Sequence, residues 1–195
     1  MLVGGAFIFN TERRSMRFGC CINMVASELD GIGTEHLSEL EHMGYDYVEM
    51  PLAEMMRLDG PNFLELKRRV DRLTIGFEVC NNFFPKHMRL TGQEVRMDLV
   101  LSYAERALTR AKDLGATCVV FGSGSAKNVP KGTSLEKGYQ QIVDLLNQIA
   151  SLAANRDIII CIEPLRKQEC NLINTFEEGG RLADELRHPN IKVLA

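Results

Sequence analysis

The chain has 195 residues, 45% of them apolar, and a net charge of −3. That is enough apolar chain to bury one sizeable core, so a single domain is expected. The charge balance is slightly acidic with no basic cluster, which argues against a nucleic-acid partner, and the longest apolar runs are too short to span a bilayer.

Residues 1–16 read as an N-terminal extension. The apolar stretch MLVGGAFIF lacks a basic leader and a cleavage site, which argues against a signal peptide, and Met16 directly precedes the first expected strand. From Arg17 onward, strands and helices alternate. The first strand is expected over Arg17–Asn23, then a helix over Thr34–Met43 with Thr34 as its N-cap and Gly44 as its stop. The second strand is Tyr45–Pro51, and the helix Pro61–Leu73 follows with proline in its first turn. The third strand is Ile75–Asn82, followed by a long helix from about Gly92 to Leu114. The fourth strand is Cys118–Gly122, followed by a helix over Leu135–Ala154. The apolar run at Ile158–Cys161 fits a strand buried on both faces, ending at Glu163 because Pro164 removes a backbone donor. A helix over Thr175–Leu186 and a sixth strand from Ile191 complete the series. Such βα spacing implies right-handed crossovers and a parallel sheet.

Two α/β architectures fit. An open doubly wound sheet calls for a glycine-rich fingerprint after its first strand. That place holds Cys21-Ile22-Asn23-Met24, and Asp30-Gly31-Ile32-Gly33 comes later without the third glycine. A β/α barrel calls for polar residues at the carboxyl ends of its strands, and Asn23, Glu49, Asn81 with Asn82, Ser123 and Glu163 stand there. The fold class expected is therefore α/β, a (β/α)8 TIM barrel over residues 17–195. A full barrel takes eight units and typically about 250 residues, so the chain supplies about the first six.

Glu163 at a strand end is placed as α/β enzymes place a metal ligand or general base. A structural ion pair with Arg166 or Lys167 fits the spacing equally well. Glu169 follows in a polar loop with Asn171 and Asn174. Glu49 is either a contact to a substrate at the barrel mouth or half of a buried ion pair. Asn81 and Asn82 could bind hydroxyls, since amides both donate and accept, or cap the turn before Pro85. Glu78 has no assignable role. Gly122-Ser123-Gly124-Ser125 could form an anion nest with Lys127 neutralising a phosphate, although plain loop flexibility explains the same residues. The four histidines lack metal-ligand spacing, and His188 falls on the amino-end side of the sixth strand. Six cysteines, mostly in expected strands and without a CxxC pair, read as small buried hydrophobes in a reducing, cytoplasmic setting.

The segment Glu163-Pro164-Leu165, with Glu169 six residues after the first glutamate and Asn174-Thr175 before the next helix, resembles the xylose-isomerase-like TIM barrels. The sugar epimerase branch around D-tagatose 3-epimerase and D-psicose 3-epimerase matches best. The resemblance implies that Glu163 binds a divalent metal, Mn²⁺ or Mg²⁺ given oxygen-rich ligation, and moves a proton, while Glu169 contacts substrate oxygens. Glu49 and Asn81 join as substrate-binding candidates. It further implies a metal-dependent isomerase or epimerase acting on a ketose or ketose phosphate through an enediolate. An Asp, a His and a second Glu would come from strands six to eight, beyond Ala195. Only a sugar is expected as partner apart from association between copies, which exposed parallel sheet edges invite. The rivals are a hydroxypyruvate- or inosose-type isomerase or dehydratase, the endonuclease branch, which the acidic balance disfavours, and a non-catalytic barrel that binds a sugar or a partner.

Overall fold

The structure, a computed structural model, describes residues 16–194. The expected extension therefore lies outside the described residues except for Met16. Six strands are present: β1 (Gly19–Cys21), β2 (Tyr47–Pro51), β3 (Gly76–Asn81), β4 (Cys118–Phe121), β5 (Ile159–Ile162) and β6 (Ile191–Val193). Each pairs in parallel with the next, in the order β1-β2-β3-β4-β5-β6. A doubly wound sheet would reverse its order at a switch point. Unbroken sequential order is the topology of a β/α barrel, of which the chain forms six units.

Seven helices connect the strands among the described residues: α1 (Leu37–His42), α2 (Leu52–Met55), α3 (Gly60–Val70), α4 (Met97–Asp113), α5 (Gly124–Lys127), α6 (Leu135–Ala154) and α7 (Phe176–Leu186). Paired residues on neighbouring strands share a face. One face carries Cys21, Glu49, Val79, Cys118 and Ile159 in register. The alternating residues Val48, Met50, Cys80, Val119, Ile160 and Ile162 are buried on the other face. The helices cover that outer face through apolar stripes at i, i+3 and i+4 spacing, such as Val100, Ala104, Ala107 and Ala111 on α4. On α6 the stripe is Ile142, Leu145, Leu146 and Ile149. The core therefore lies between sheet and helices, and each fully buried Leu or Ile there contributes about 1.5–3 kcal/mol.

Several local expectations need correction. β5 is buried on its outer face only: Ile160 and Ile162 are fully covered, whereas Ile159 is 37% exposed. Ile159 points to the inner face of the sheet, away from the helices that cover Ile160 and Ile162. Thr34 is not a helix N-cap. It begins a 3₁₀ turn (Thr34–His36) entered through Gly33 at φ 90°, and its side chain makes no capping bond. α4 starts at Met97 rather than near Gly92, because Gly92 both donates to and accepts from the Gln141 side chain at 2.8 Å. Only Cys80 and Cys170 are buried, while the other four cysteines are half-exposed and all six are free. Three of those four stand on the inner face.

The other helix ends are set by local interactions. Asp59 caps α3 by accepting from Asn62 N at 2.9 Å, with Pro61 in the first turn. Thr175 caps α7 by accepting from Glu178 N at 3.1 Å. Gly44 and Gly115 end their helices at positive φ. No helix among the described residues is long and apolar enough to cross a membrane.

The two faces of β5 should separate in denaturation. Ile162→Ala is expected to cost about 2–5 kcal/mol, and Ile159→Ala no more than about 1 kcal/mol. Urea unfolding of the two variants checks this, and equal losses would place the core elsewhere.

Candidate functional site at the carboxyl ends of the strands

Glu163 directly follows β5, its backbone N donating to Phe121 O on β4 at 3.3 Å. Its carboxylate rests on Gly122, where a Cβ would overlap Oε2, so glycine alone leaves room for it. The group is half-buried, and burial pushes its pKa above the ordinary carboxylate value. The charge of Lys127 opposes that rise and the charge of Glu169 adds to it.

Lys127 is not the phosphate clamp that the Gly-Ser turn suggested. Gly124–Lys127 is a helical turn, and Lys127 is 0% exposed. Its Nζ donates to the Glu163 backbone carbonyl at 3.4 Å and lies 5.4 Å from the centroid of the Phe121 ring. Burial lowers its pKa, while the negative potential of Cys170 and Glu163 works against that. Burying an ammonium costs several kcal/mol; the cation–π contact returns about 2 kcal/mol or more when desolvated.

The ion pair weighed for Glu163 forms instead at Glu169. Arg166 holds Glu169 at 2.8 Å, and that bond sets the Glu169 carboxyl below its ordinary value. The loop carrying Glu169 is tied down on both sides. Asn174 Nδ2 donates to Leu165 O at 2.7 Å and Cys170 O at 2.8 Å. Asn171 exchanges hydrogen bonds with the backbone of Val129. Glu163 and Glu169 thus face one cavity of about 350 Å³, shared with Glu54, Asn82, Lys86 and Ser123.

Glu49 and Asn81 fall outside that cavity's lining and form a second group on the inner face. Asn81 Nδ2 donates to Cys21 Sγ at 2.9 Å and to Asn23 Oδ1 at 3.0 Å. Its own Oδ1 is buried without a partner. Burial raises the Glu49 pKa; the Asn81 amide lowers it and the charge of Glu163 raises it further. Burial also pushes the Cys21 thiol to about 11, with Glu49 adding to the effect. The field of Glu163 therefore reaches both groups. Asn82 adopts φ 48° and reaches Glu54 at 3.4 Å rather than capping the turn before Pro85. Glu78, without a role in the sequence, pairs with Arg17 through both its oxygens, at 2.8 and 2.5 Å, and ties the start of β1 to β3.

Residues 37–195 match the family model described as xylose isomerase-like TIM barrel. The chain belongs to that family. Among solved structures, a D-psicose 3-epimerase determined in the presence of D-fructose is similar with a TM-score of 0.77 at 18% identity, over 91% of this chain and 62% of that one. D-psicose 3-epimerase from Clostridium cellulolyticum H10, with D-tagatose, gives 0.76 at 17% identity over 90% and 62%. An L-ribulose 3-epimerase gives 0.73 at 17% identity over 92% and 60%. The chain thus spans about three-fifths of the length of these structures. No curated protein matches the sequence.

In this xylose isomerase-like chain, no three His, Cys, Asp or Glu side chains among the described residues converge as a metal site. Glu163 is a single carboxylate backed by the Lys127 ammonium, and Glu49 stands in a separate group with Cys21 and Asn81. The donor set present does not by itself fit a divalent cation. Sequence reasoning also missed Gly122, Glu54 and Lys86. Gly122 was read as the end of the fourth strand and part of a Gly-Ser turn, and its close approach to Glu163 depends on β4 and β5 being neighbours. Glu54 sits on α2, too short a helix to show a periodic pattern.

A raised folded-state pKa at Glu49 means that its contribution to stability is present at low pH and is lost as pH rises through the folded value. Glu49→Gln should therefore be more stable than the parent at pH 7, with the difference closing below about 4.5, the ordinary carboxylate value. Thermal unfolding of both proteins across that range checks the sign.

Proposed function

We propose that the protein is a sugar isomerase or epimerase that moves a proton at the carbon beside a ketose carbonyl, with Glu163 as the proton carrier. The observation that carries this reading is a half-buried carboxylate with a raised pKa, held against Gly122 at the edge of the cavity. A carboxylate of raised pKa is a stronger base than a solvated one and stands nearer to working pH. Xylose isomerase-like family membership and the epimerase-like fold support the assignment. The substrate is a small sugar, a ketose or ketose phosphate, and the same reading keeps the protein in a reducing, cytoplasmic setting.

Glu169, held ionised by Arg166, accepts hydrogen bonds from sugar hydroxyls across the cavity. Asn81 presents an unpartnered carbonyl oxygen, which a hydroxyl donor would satisfy, since a buried acceptor left unpaired costs about 1–3 kcal/mol. Glu49 is assigned to the same substrate. Lys127 holds the backbone of Glu163 without touching the cavity. A divalent metal, Mn²⁺ or Mg²⁺, when bound would supply Lewis-acid stabilisation of the oxygen beside the reacting carbon. Glu163 would be this chain's ligand to it, and further ligands would have to come from outside the described residues.

Solvent exchange tests the proposal. A longer protein that contains this chain is incubated in D₂O with Mn²⁺ and a panel of ketoses and ketose phosphates. Deuterium should appear at the carbon beside the carbonyl. Glu163→Gln should lower the exchange rate by about 10²–10⁴-fold, the usual contribution of a positioned acid or base. Glu169→Gln should weaken substrate binding, and Gly122→Ala should slow exchange by displacing the Glu163 carboxylate. A longer protein that binds metal yet exchanges no proton in any sugar would favour the non-catalytic, sugar-binding reading.

A further inference from the structure

Cys118 on β4 and Cys161 on β5 are side by side on the inner face of the sheet. Cys118 is in register with Ile159 and Val120 with Cys161, so the two cysteines are diagonal neighbours across adjacent strands. Their side chains lean together, with Cys118 donating its S–H to Cys161 Sγ at 3.1 Å. Both are free and only partly buried, and a small oxidant can therefore reach them. No other two cysteines among the described residues make such a sulfur–sulfur contact: Cys80 and Cys170 are buried, and Cys21 donates to Asn23.

We propose that Cys118 and Cys161 form an oxidisable dithiol that peroxide converts to a disulfide. A disulfide bond measures about 2.05 Å, so the sulfurs need to approach by only about 1 Å. In the first step one thiolate attacks hydrogen peroxide. A sulfur–oxygen bond forms, the oxygen–oxygen bond breaks, and hydroxide leaves and takes up a proton as water. In the second, the neighbouring sulfur attacks the sulfenic sulfur. The sulfur–sulfur bond forms, the sulfur–oxygen bond breaks, and a second water leaves with the remaining thiol proton. Two thiols lose two electrons and one peroxide gains them.

The diagonal placement makes the bond strained. Cysteines in diagonal rather than directly paired positions are offset along the strands, which departs from ordinary disulfide geometry. Strained, accessible disulfides are the readily reduced ones, so the link is reversible under a thiol reductant. Closing it ties β4, which leads into the Ser123–Lys127 turn, to β5, whose face carries Glu163 two residues further on. Oxidation would thus lock together the two strands whose ends form the cavity wall. This chemistry does not depend on the proposed sugar reaction.

The test uses the reduced 195-residue chain, treated with hydrogen peroxide, alkylated and mapped by mass spectrometry with and without dithiothreitol. The expected product has lost two hydrogens, carries a cross-link between the peptides holding Cys118 and Cys161, and reverts with dithiothreitol. Cys118→Ser and Cys161→Ser should each abolish that cross-link, with the remaining thiol trapped by dimedone as sulfenic acid. Alkylation of both thiols after peroxide would overturn the proposal. Separate oxidation of each to sulfinic acid, or a link from either to another cysteine, would do the same. The wild-type peptide map decides the matter even if a serine variant fails to fold.

Discussion

Each strand of the sheet hydrogen-bonds to the strand before it in sequence, always in parallel. Parallel pairing requires a crossover between consecutive strands, and right-handed crossovers place every helix on one face of the sheet. All the carboxyl ends then reach a single rim. That constraint makes neighbours of Cys21, Asn81 and Glu49, which arrive from three different strands. It also lets the Glu163 carboxylate rest on the backbone of Gly122 at the end of the preceding strand. Nothing else in the chain would bring these groups together.

The charges at the rim are arranged at some expense to stability. Glu163 and Glu49 are both desolvated carboxylates with raised pKa values, and the field of Glu163 adds to the rise at Glu49. Glu169, six residues after Glu163, shifts the opposite way because Arg166 pairs with it in solvent. Two carboxylates on one cavity are thus pushed in opposite directions by their surroundings. Lys127 completes the balance from beneath. It is a buried cation that holds the backbone of Glu163, lies over the Phe121 ring and stands outside the cavity lining.

Family membership establishes the barrel topology, while the chemistry has to be argued from the site. The xylose isomerase-like frame accounts for the order of strands and the layer of helices. It does not account for the thiol contact between Cys118 and Cys161, which arises from the register of β4 and β5 in this chain. Nor does it account for the partnerless Asn81 carbonyl oxygen.

Much of the fold was legible in the sequence, because its signals are local. Apolar runs ending in polar residues marked the first five strands, and the regular alternation of strand and helix marked the sixth. Gly44 as a stop and Pro61 in a first turn act within one turn of where they stand. Glu163 was legible as a strand-end carboxylate before Pro164, and Glu169 by its spacing from it. Where long-range partners decide, the sequence misled or was silent. Gln141 holds Gly92 out of α4, Arg166 chooses Glu169 over Glu163, and Ile159 points to the inner face of the sheet, away from the helices. Lys127 is the sharpest case: beside a Gly-Ser turn it fits an anion nest or a flexible loop, yet packing buries it under Glu163. Periodicity and capping depend on neighbours along the chain, whereas the partner of a charge depends on neighbours across the sheet, and only the assembled structure specifies those.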